Sequence, residues 1–412
     1  MEQTGEKLWS LLHAPHGPLV PHIDAFARKL NEQGFKHYSI TPQIRLVAKF
    51  SRWLKANHIS LECVSDEHTQ RFLRRSKRRK AIGCGSFAAL RRLMALLRQC
   101  GAIPNEPLLV VEVTPIQMVT DAFAQHLRQD QGLSRTTCVQ YLPFAEQFLA
   151  ECFGNGSVDL SVLCAADVVE FVKHQASRLS QARAKCATIA LRSFLRYLRY
   201  RGEIALDLAA AVPTVPNWSM TGIPRAIAPD HVRAVLESCR RDTPVGRRDY
   251  SILMLLARLG LRSGEIVALT VDSIDWDLGC LTAVGKGGQS SQLPLPAEVG
   301  KAIADYLLRG RPRSSCRTLF LRANAPIRGL GAHTSIASIV NAAITRAGIE
   351  TTHRGAHQFR HALACQMLRQ GATLTEIGSL LRHRHPKTTG IYAKVDFAAL
   401  RPLSLPWPGG AR

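Results

Sequence analysis

Apolar residues recur every three or four positions along most of this chain, which is the spacing of an amphipathic helix. Such spacing begins near His22, resumes at Thr41-Pro42 and returns from Ser86 to Gln99, with Gly101 as the stop of that segment. A similar succession of helices starts again near Thr114. The pattern therefore predicts a chain that is mainly α-helical.

The two N-terminal segments repeat the same order of apolar and glycine positions. The offset between matched positions stays between 97 and 101 residues. A constant offset of this kind is the sequence signature of an internal repeat. This predicts two copies of one small helical domain, although any two amphipathic segments of equal length could align this well. The matched pairs are Phe26 with Phe123, Phe72 with Phe171, Leu90 with Leu191, Gly101 with Gly202, and Ile103 with Ile204.

A change of composition between Asp207 and Pro229 marks a linker. Pro213, Pro216 and Pro224 interrupt the helical periodicity there. We therefore expect an N-terminal helical domain at 1–108, a second helical domain at 109–212, a linker at 213–228 and a C-terminal domain at 229–412.

The C-terminal half combines helices with a few short alternating segments. Cys280 to Val284 and Gln292 to Leu295 flank Gly285-Lys286-Gly287-Gly288 and predict a β-hairpin, and Leu319 to Leu321 is a further candidate strand. This part should be a mostly helical domain with a small antiparallel sheet. Its helices are predicted at Pro229 to Cys239, Asp249 to Leu259 with Gly260 as the stop, Ser335 to Ala347, after His357, and Leu374 to Leu381.

The charge of the chain narrows the class of partner. Its 412 residues carry 54 Lys and Arg against 31 Asp and Glu, a formal charge of +23 with a pI near 10.1. This charge indicates a polyanionic partner, with nucleic acid as the first choice. A solvated charged face is the alternative for any one cluster. The predicted DNA-backbone contacts are Arg71, Arg74, Arg75, Lys77, Arg78, Arg79 and Lys80 in one run, and Arg192, Arg196 and Arg199 on a later helix.

Membrane, disulfide and metal chemistry find little support in the sequence. The longest apolar candidate, Tyr250 to Leu261, is interrupted by Arg258 and is too short to cross a bilayer. The first residues lack the form of a signal peptide. Eleven cysteines without a Cys-x-x-Cys pair suggest neither a zinc ribbon nor a disulfide framework. We expect a cytoplasmic, DNA-associated protein, and these residues indicate no metal or cofactor site.

Candidate chemistry concentrates between His357 and Tyr392. His357 and Arg360 are three residues apart and share a helix face, and His383 and Tyr392 follow on later segments. Two imidazoles, an arginine and a tyrosine without nearby acidic ligands suit attack on a phosphodiester, because preorganised cations stabilise the charge that develops there. His361 and its neighbours His353 and His385 are not expected to belong to this set, since histidines are more often structural.

These residues complete a set of motifs by which the chain resembles the tyrosine recombinases, the family of phage integrases and Xer-type site-specific recombinases. The sequence departs from the family pattern at Arg382, where glycine is usual, at Phe359, where leucine is usual, and at Gln289 to Gln292, where basic residues are common. The matches are Arg262 in Gly260-Leu261-Arg262-Ser263-Gly264-Glu265, Lys286 in the hairpin, His357 and Arg360 in His-x-x-Arg, His383, and Tyr392 in Thr388-Thr389-Gly390-Ile391-Tyr392.

The resemblance implies a role for each matched residue. Tyr392 would attack the scissile phosphorus and leave a 3′-phosphotyrosyl link with a free 5′-hydroxyl, so that no ATP or metal is needed for rejoining. Arg262 and Arg360 would hold the nonbridging oxygens. Lys286 would protonate the departing 5′-oxygen. The last two members of the set, His357 and His383, would donate hydrogen bonds or share in proton transfer.

The resemblance also implies an architecture and partners. The segment 109–212 would be a SAM-like core-binding domain that closes over DNA, and 1–108 an added DNA-binding or assembly domain. A tetramer on paired DNA sites is expected, with accessory or sister recombinases as further candidate partners. The alternatives are a type IB-like topoisomerase and a non-catalytic DNA-binding protein of the same fold.

Overall fold

The computed structural model describes residues 16–78, 85–104, 114–154, 156–215, 224–285, 288–331, 333–351, 354–395 and 400–401, with the backbone alone at 76–78 and 333. The chain forms two compact units, Met1–Asn105 together with Gly222–Arg412, and Glu106–Thr221. Within these ranges it is mainly helical with one small antiparallel sheet, which confirms the predicted fold class.

Four helices make up the first segment, and their apolar faces form one core. The second helix begins at His37, earlier than the predicted start at Thr41-Pro42, so Pro42 lies inside it. The third helix contains the basic run as far as Arg78 and was not predicted. It buries few apolar residues, among them Phe72 and Leu73, and the many arginines around them obscure the helical periodicity. The bounds are α1 Ile23–Glu32, α2 His37–Ala56, α3 Asp66–Arg78 and α4 Ser86–Gln99.

The unit Glu106–Thr221 has the same order of elements. A 3-10 turn precedes the third helix in both segments, at Leu61–Cys63 and at Leu160–Val162. The rings of Phe50 and Phe72 lie 5.1 Å apart, and those of Phe148 and Phe171 lie 5.3 Å apart. These parallels support a duplication, which stays a proposal. The helices are α5 Pro115–Gln129, α6 Arg135–Phe153, α7 Ala165–Arg178 and α8 Gln181–Tyr200.

The C-terminal half contains the sheet. Strands β1 Ile274–Asp275, β2 Cys280–Val284 and β3 Ser290–Pro294 pair antiparallel in that order, with Leu281 opposite Leu293. The predicted hairpin is thereby confirmed, although Lys286 and Gly287 lie outside the described residues. The candidate strand at 319–321 was wrong, because Leu321 makes only an isolated bridge to Gly329.

The described part of the C-terminal half contains eight α-helices besides that sheet. Helix α10 is apolar on nearly every side and packs against α12 and α14, so it forms the centre of the largest core. Helix α12 was not predicted. The bounds are α9 Pro229–Glu237, α10 Pro244–Leu259, α11 Ser263–Ala268, α12 Ala297–Arg309, α13 His333–Arg346, α14 His357–Arg369, α15 Leu374–Leu380 and α16 Pro386–Thr389.

Among the described residues, no helix is both long and apolar enough to cross a membrane.

Gly260 fixes the turn that follows α10. Its φ is +55°, and a Cβ there would lie 2.8 Å from Leu381 Cδ2. We therefore expect Gly260→Ala to lower the free energy of unfolding by at least about 1 kcal/mol, the order of the left-handed backbone cost. Urea unfolding measures this. Gly264→Ala is the control, because a Cβ at Gly264 meets nothing within 4 Å. Equal stability of the two variants would contradict the expectation.

Candidate active site

Arg262 lies at the elbow between α10 and α11, as predicted. Its backbone N–H donates to Glu265 Oε2 over 2.9 Å, and its Nη1 lies 2.7 Å from Glu265 Oε1. Glu265 is 3% exposed. A buried carboxylate that accepts both bonds fixes the direction of the Arg262 guanidinium, whose side chain remains about one-third exposed at 34%.

Arg360 is held by backbone carbonyls from two other segments. It is buried, and its guanidinium donates to Gly260 O and to Leu381 O. Burial lowers the pKa of Arg360 to about 10, and the positive charges of Arg262 and Arg382 act in the same direction. The group therefore stays charged at neutral pH, and it joins the Arg262 elbow to the segment that carries His383.

An open cleft of about 670 Å³ lies beside these groups. Its lining includes Arg225, Arg262, Arg354, His357 and His361, so the cleft has a strongly basic wall that suits a phosphate-rich ligand. Partial loss of hydration lowers the pKa of His357, and Arg360 and Arg262 lower it further. Two of the predicted site residues, Arg262 and His357, thus line one cleft.

His383 follows α15 and lies near the same cations. Its Nδ1 is 2.8 Å from Thr389 Oγ1. Burial lowers the pKa of His383 to about 4, with further lowering by Arg360, Arg262, Arg382 and, last, His361. In the free protein His383 is therefore a neutral imidazole at physiological pH.

The depressed pKa of His383 predicts a pH dependence of stability. Between pH 6.5 and about 4 the unfolded chain binds a proton at His383 that the folded chain does not. The contribution of this site to the free energy of unfolding is therefore fully present above pH 6.5 and is lost as the pH decreases through that range. We expect His383→Gln to flatten this fall, measured as urea midpoints at pH 7.5 and 5. His357 and His361 contribute with the same sign. Parallel pH profiles of wild type and variant would refute the assignment.

Tyr392 is 1% exposed and packs within a cluster that includes Ala364, Ile377 and Leu381. Its hydroxyl lies 3.0 Å from His361 Nδ1, and the two rings meet edge to face. Burial raises the pKa of Tyr392 to about 12, although Arg360 acts to lower it. The phenol is therefore neutral in the free protein, and among the described residues His361 makes a hydrogen bond with it through which a proton can be exchanged.

His361 is the residue that sequence reasoning missed. It was set aside among the neighbouring histidines, yet it links the two ends of the predicted site. Its ring centroid is 6.4 Å from that of His357 and 5.7 Å from that of Tyr392. The signal was the four-residue spacing from His357, which places both rings on one face of α14.

The predicted lysine, Lys286, lies outside the described residues, but the base of its hairpin borders the site. The backbone N–H of Gly285 donates to Gln289 O over 2.7 Å, and Gln289 Oε1 accepts from Arg384 Nε over 3.2 Å. A Cβ on Gly285 would lie 3.8 Å from Glu265 Oε1. The role of Lys286 stays a prediction.

The predicted DNA-backbone contacts lie away from these groups in sequence and differ in their surroundings. Arg192 donates to the carbonyls of Val212 and Pro213, which gives it a structural role, and Arg199 pairs with Asp207 at 2.8 Å. DNA contact stays a prediction for the set. Arg71, Arg74, Arg75 and Arg196 are exposed, whereas nothing is described of the side chains of Lys77 and Arg78 or of Arg79 and Lys80.

Known proteins of similar sequence are integrases and recombinases. Residues 225–399 match the model of the phage integrase family. The chain is 48% identical to the putative integrase/recombinase y4rA of Sinorhizobium fredii over 98% of each chain. It is 30% identical to the tyrosine recombinase XerD of Listeria monocytogenes, over 68% of this chain and 94% of XerD.

Solved structures share the fold. XerH recombinase bound to its palindromic difH substrate after cleavage has a TM-score of 0.54 at 19% identity, covering 69% of this chain and 83% of XerH. A lambda integrase dimer bound to a COC′ core site has a TM-score of 0.52 at 13% identity, covering 80% of this chain and 91% of the integrase.

These relatives define a class of protein, the enzymes that break and rejoin DNA strands. Within that class, the chain belongs to the tyrosine recombinase (phage integrase) family.

Proposed function

We propose that this chain is a site-specific DNA recombinase that cleaves and rejoins strands through a 3′-phosphotyrosyl bond to Tyr392. The observation that carries the proposal is that Arg360 joins the Arg262 elbow to the segment that carries His383, while His361 on the same helix contacts the Tyr392 hydroxyl. Arg262 comes from the elbow before α11, His357, Arg360 and His361 from α14, His383 from the turn after α15, and Tyr392 from the segment Gly390–Val395.

Strand cleavage by these groups balances as a simple exchange of ester bonds. The Tyr392 oxygen bonds to phosphorus as the bond between phosphorus and the 5′-oxygen breaks. Arg262 and Arg360 offset the charge on the nonbridging oxygens. The phenolic proton leaves to a neighbouring base, and the 5′-oxygen takes a proton from Lys286. Attack by a 5′-hydroxyl from the partner duplex reverses the step and rejoins the strands.

His361 is the base placed to receive the phenolic proton. Partial burial lowers its pKa, and His357, Arg360 and Arg225 lower it further, so it is neutral at physiological pH and its Nδ1 can accept from the Tyr392 hydroxyl. The Arg360 charge favours the phenolate as the proton departs.

His361→Phe should therefore slow strand cleavage about 100-fold, the lower end of general-base effects, and leave DNA affinity unchanged. The measurement is the single-turnover rate of covalent complex formation, with binding followed by gel shift. His385→Phe is the matched control, because His385 is an exposed histidine outside the set. A wild-type rate in His361→Phe would remove the histidine from the mechanism.

One plasmid experiment distinguishes the recombinase from a type IB-like topoisomerase and from a non-catalytic DNA-binding protein. Binding sites are selected from a random duplex pool with the Tyr392→Phe protein, and two copies are placed on a supercoiled plasmid. A recombinase yields excision or inversion products. A type IB-like topoisomerase yields relaxation without exchange, and a DNA-binding protein yields neither product.

The assembly and biological role belong to the same proposal. We infer a tetramer on two double-stranded DNA sites, supported by the fold shared with a lambda integrase tetramer bound to a Holliday junction, at a TM-score of 0.51. The added segment 1–108 would extend site recognition for a mobile genetic element, with sister recombinases as candidate partners. Sedimentation on paired sites tests the assembly, and a persistent monomer would contradict it.

A further inference from the structure

Arg382 occupies a backbone conformation that side chains rarely adopt. Its φ is +56°, and among the described non-glycine residues only His58 also has a positive φ. The left-handed region costs an L-residue roughly 1–2 kcal/mol. A cost of this kind in a functional region indicates that the side chain makes a compensating interaction.

The guanidinium of Arg382 makes two directed contacts. Nη2 lies 2.9 Å from Glu265 Oε2, and Nη1 donates to Leu380 O over 2.9 Å. The side chain of Arg382 is 12% exposed, so solvent screens the ion pair only weakly. The contact with Glu265 joins positions 117 residues apart in the chain.

Glu265 is the shared partner of two arginines. One carboxylate oxygen binds Arg262 Nη1, and the other binds Arg382 Nη2 and the backbone N–H of Arg262. Burial alone would raise the pKa of Glu265, but the Arg262 N–H and the guanidinium groups of Arg382 and Arg262 lower it below its usual value. The carboxylate therefore stays ionised and bridges the two cations.

This bridge fixes the segment that delivers His383. On one side of Arg382, Leu381 O accepts from Arg360, and on the other side His383 is the next residue. The segment is thus tied to α14 through Arg360 and to the Arg262 elbow through Glu265. A glycine at position 382 would allow the same turn but would not make the contact with Glu265.

We propose that Arg382 is a positioning residue of the cleavage reaction, which holds His383 in place against Arg262 through the shared Glu265 carboxylate. This role rests on the proposed recombinase function. It concerns orientation, because displacements of about 1 Å in a preorganised site can cost roughly 100-fold in rate.

Three substitutions separate orientation from charge. Arg382→Gly allows the same turn without the side chain, Arg382→Gln removes the charge, and Arg382→Lys keeps the charge but cannot form the planar two-pronged contact. Each should lower the single-turnover cleavage rate about 10- to 100-fold, with DNA affinity within about twofold. The matched control is Arg317→Gln, which breaks an exposed ion pair with Asp272 in the same unit and should cleave normally.

A second readout uses the titration of His383 in DNA-free protein. The charged or titratable groups that act on His383 are Arg360, Arg262, Arg382 and His361, and only Arg382 changes. NMR of labelled histidine, assigned with His383→Gln, should show the His383 pKa rising from about 4 in the Gly and Gln variants. It should stay near the wild-type value in the Lys variant, because a positive charge remains.

The coupling through Glu265 predicts non-additive effects. Glu265→Gln should slow cleavage by a similar factor, and adding Arg382→Gln to it should cause little further loss. Wild-type cleavage in Arg382→Gly and Arg382→Gln with an unshifted His383 titration would overturn the role. The role would also be overturned if the rate losses of Glu265→Gln and Arg382→Gln multiplied in the double variant, because that would show that the two residues act independently. Because the titration needs no DNA, a wild-type chain that cleaves nothing counts against the proposed function, whereas the histidine titration still reports the coupling.

Discussion

Tyr392→Phe protein should bind its DNA site with wild-type affinity and form no covalent complex. The ring of Tyr392 is buried, and the substitution removes only the hydroxyl that contacts His361. Packing of the cluster around it should therefore survive, so that the melting temperature reports an intact fold. The loss should be complete because the phenolic oxygen of Tyr392 is the nucleophile of the proposed reaction.

The assay uses a nicked duplex that releases a short 5′-fragment after cleavage, which traps the covalent intermediate. Wild-type protein should accumulate a slowly migrating protein–DNA species in denaturing gels. Tyr250→Phe is the matched control, because Tyr250 lies on α10 under the Arg241 guanidinium, outside the cleft residues. Any covalent product from Tyr392→Phe would indicate a different nucleophile.

Arg262→Gln should lower the cleavage rate about 100- to 1000-fold, the usual effect of removing one preorganised donor to a developing charge. Arg262 lines the basic cleft and Glu265 fixes its guanidinium, so its charge is in place before the phosphate arrives. The effect should appear in the single-turnover rate more than in the affinity, because many other cations contribute to binding DNA.

Arg258→Gln is the comparison for Arg262→Gln. Arg258 lies four residues earlier, in the last turn of α10, and its Nε is 2.7 Å from Glu298 Oε1. The substitution therefore removes an equal charge from a residue that does not line the cleft. We expect nearly wild-type cleavage from it. If both variants lost the same activity, the loss would reflect net charge and not the position of Arg262.

Local sequence patterns predicted the parts of the site that depend on one segment at a time. Gly260 after an apolar run predicted the stop of α10 and the elbow at Arg262. Alternation on both sides of Gly285 predicted the β2–β3 hairpin. These features follow from backbone preferences of the residues concerned, and such preferences can be read from a single sequence.

Contacts between distant segments could not be predicted. The bonds from Arg360 to Gly260 O and Leu381 O depend on how three segments pack, and Arg382 appeared in the sequence only as a departure from a glycine. Helix α3 was missed for a different reason, since its charged residues outnumber the apolar ones that mark a buried face. These features depend on tertiary packing, which the local periodicity of a sequence does not specify.

The position of the protein–DNA bond tests the central claim most directly. Covalent complex trapped on the nicked duplex is digested with protease and nuclease, and the nucleotide-bearing peptide is sequenced by mass spectrometry. We predict a 3′-phosphate ester on Tyr392, within the peptide that contains Thr388-Thr389-Gly390-Ile391. An adduct on any other residue, or a 5′-phosphate linkage, would contradict this account of the site.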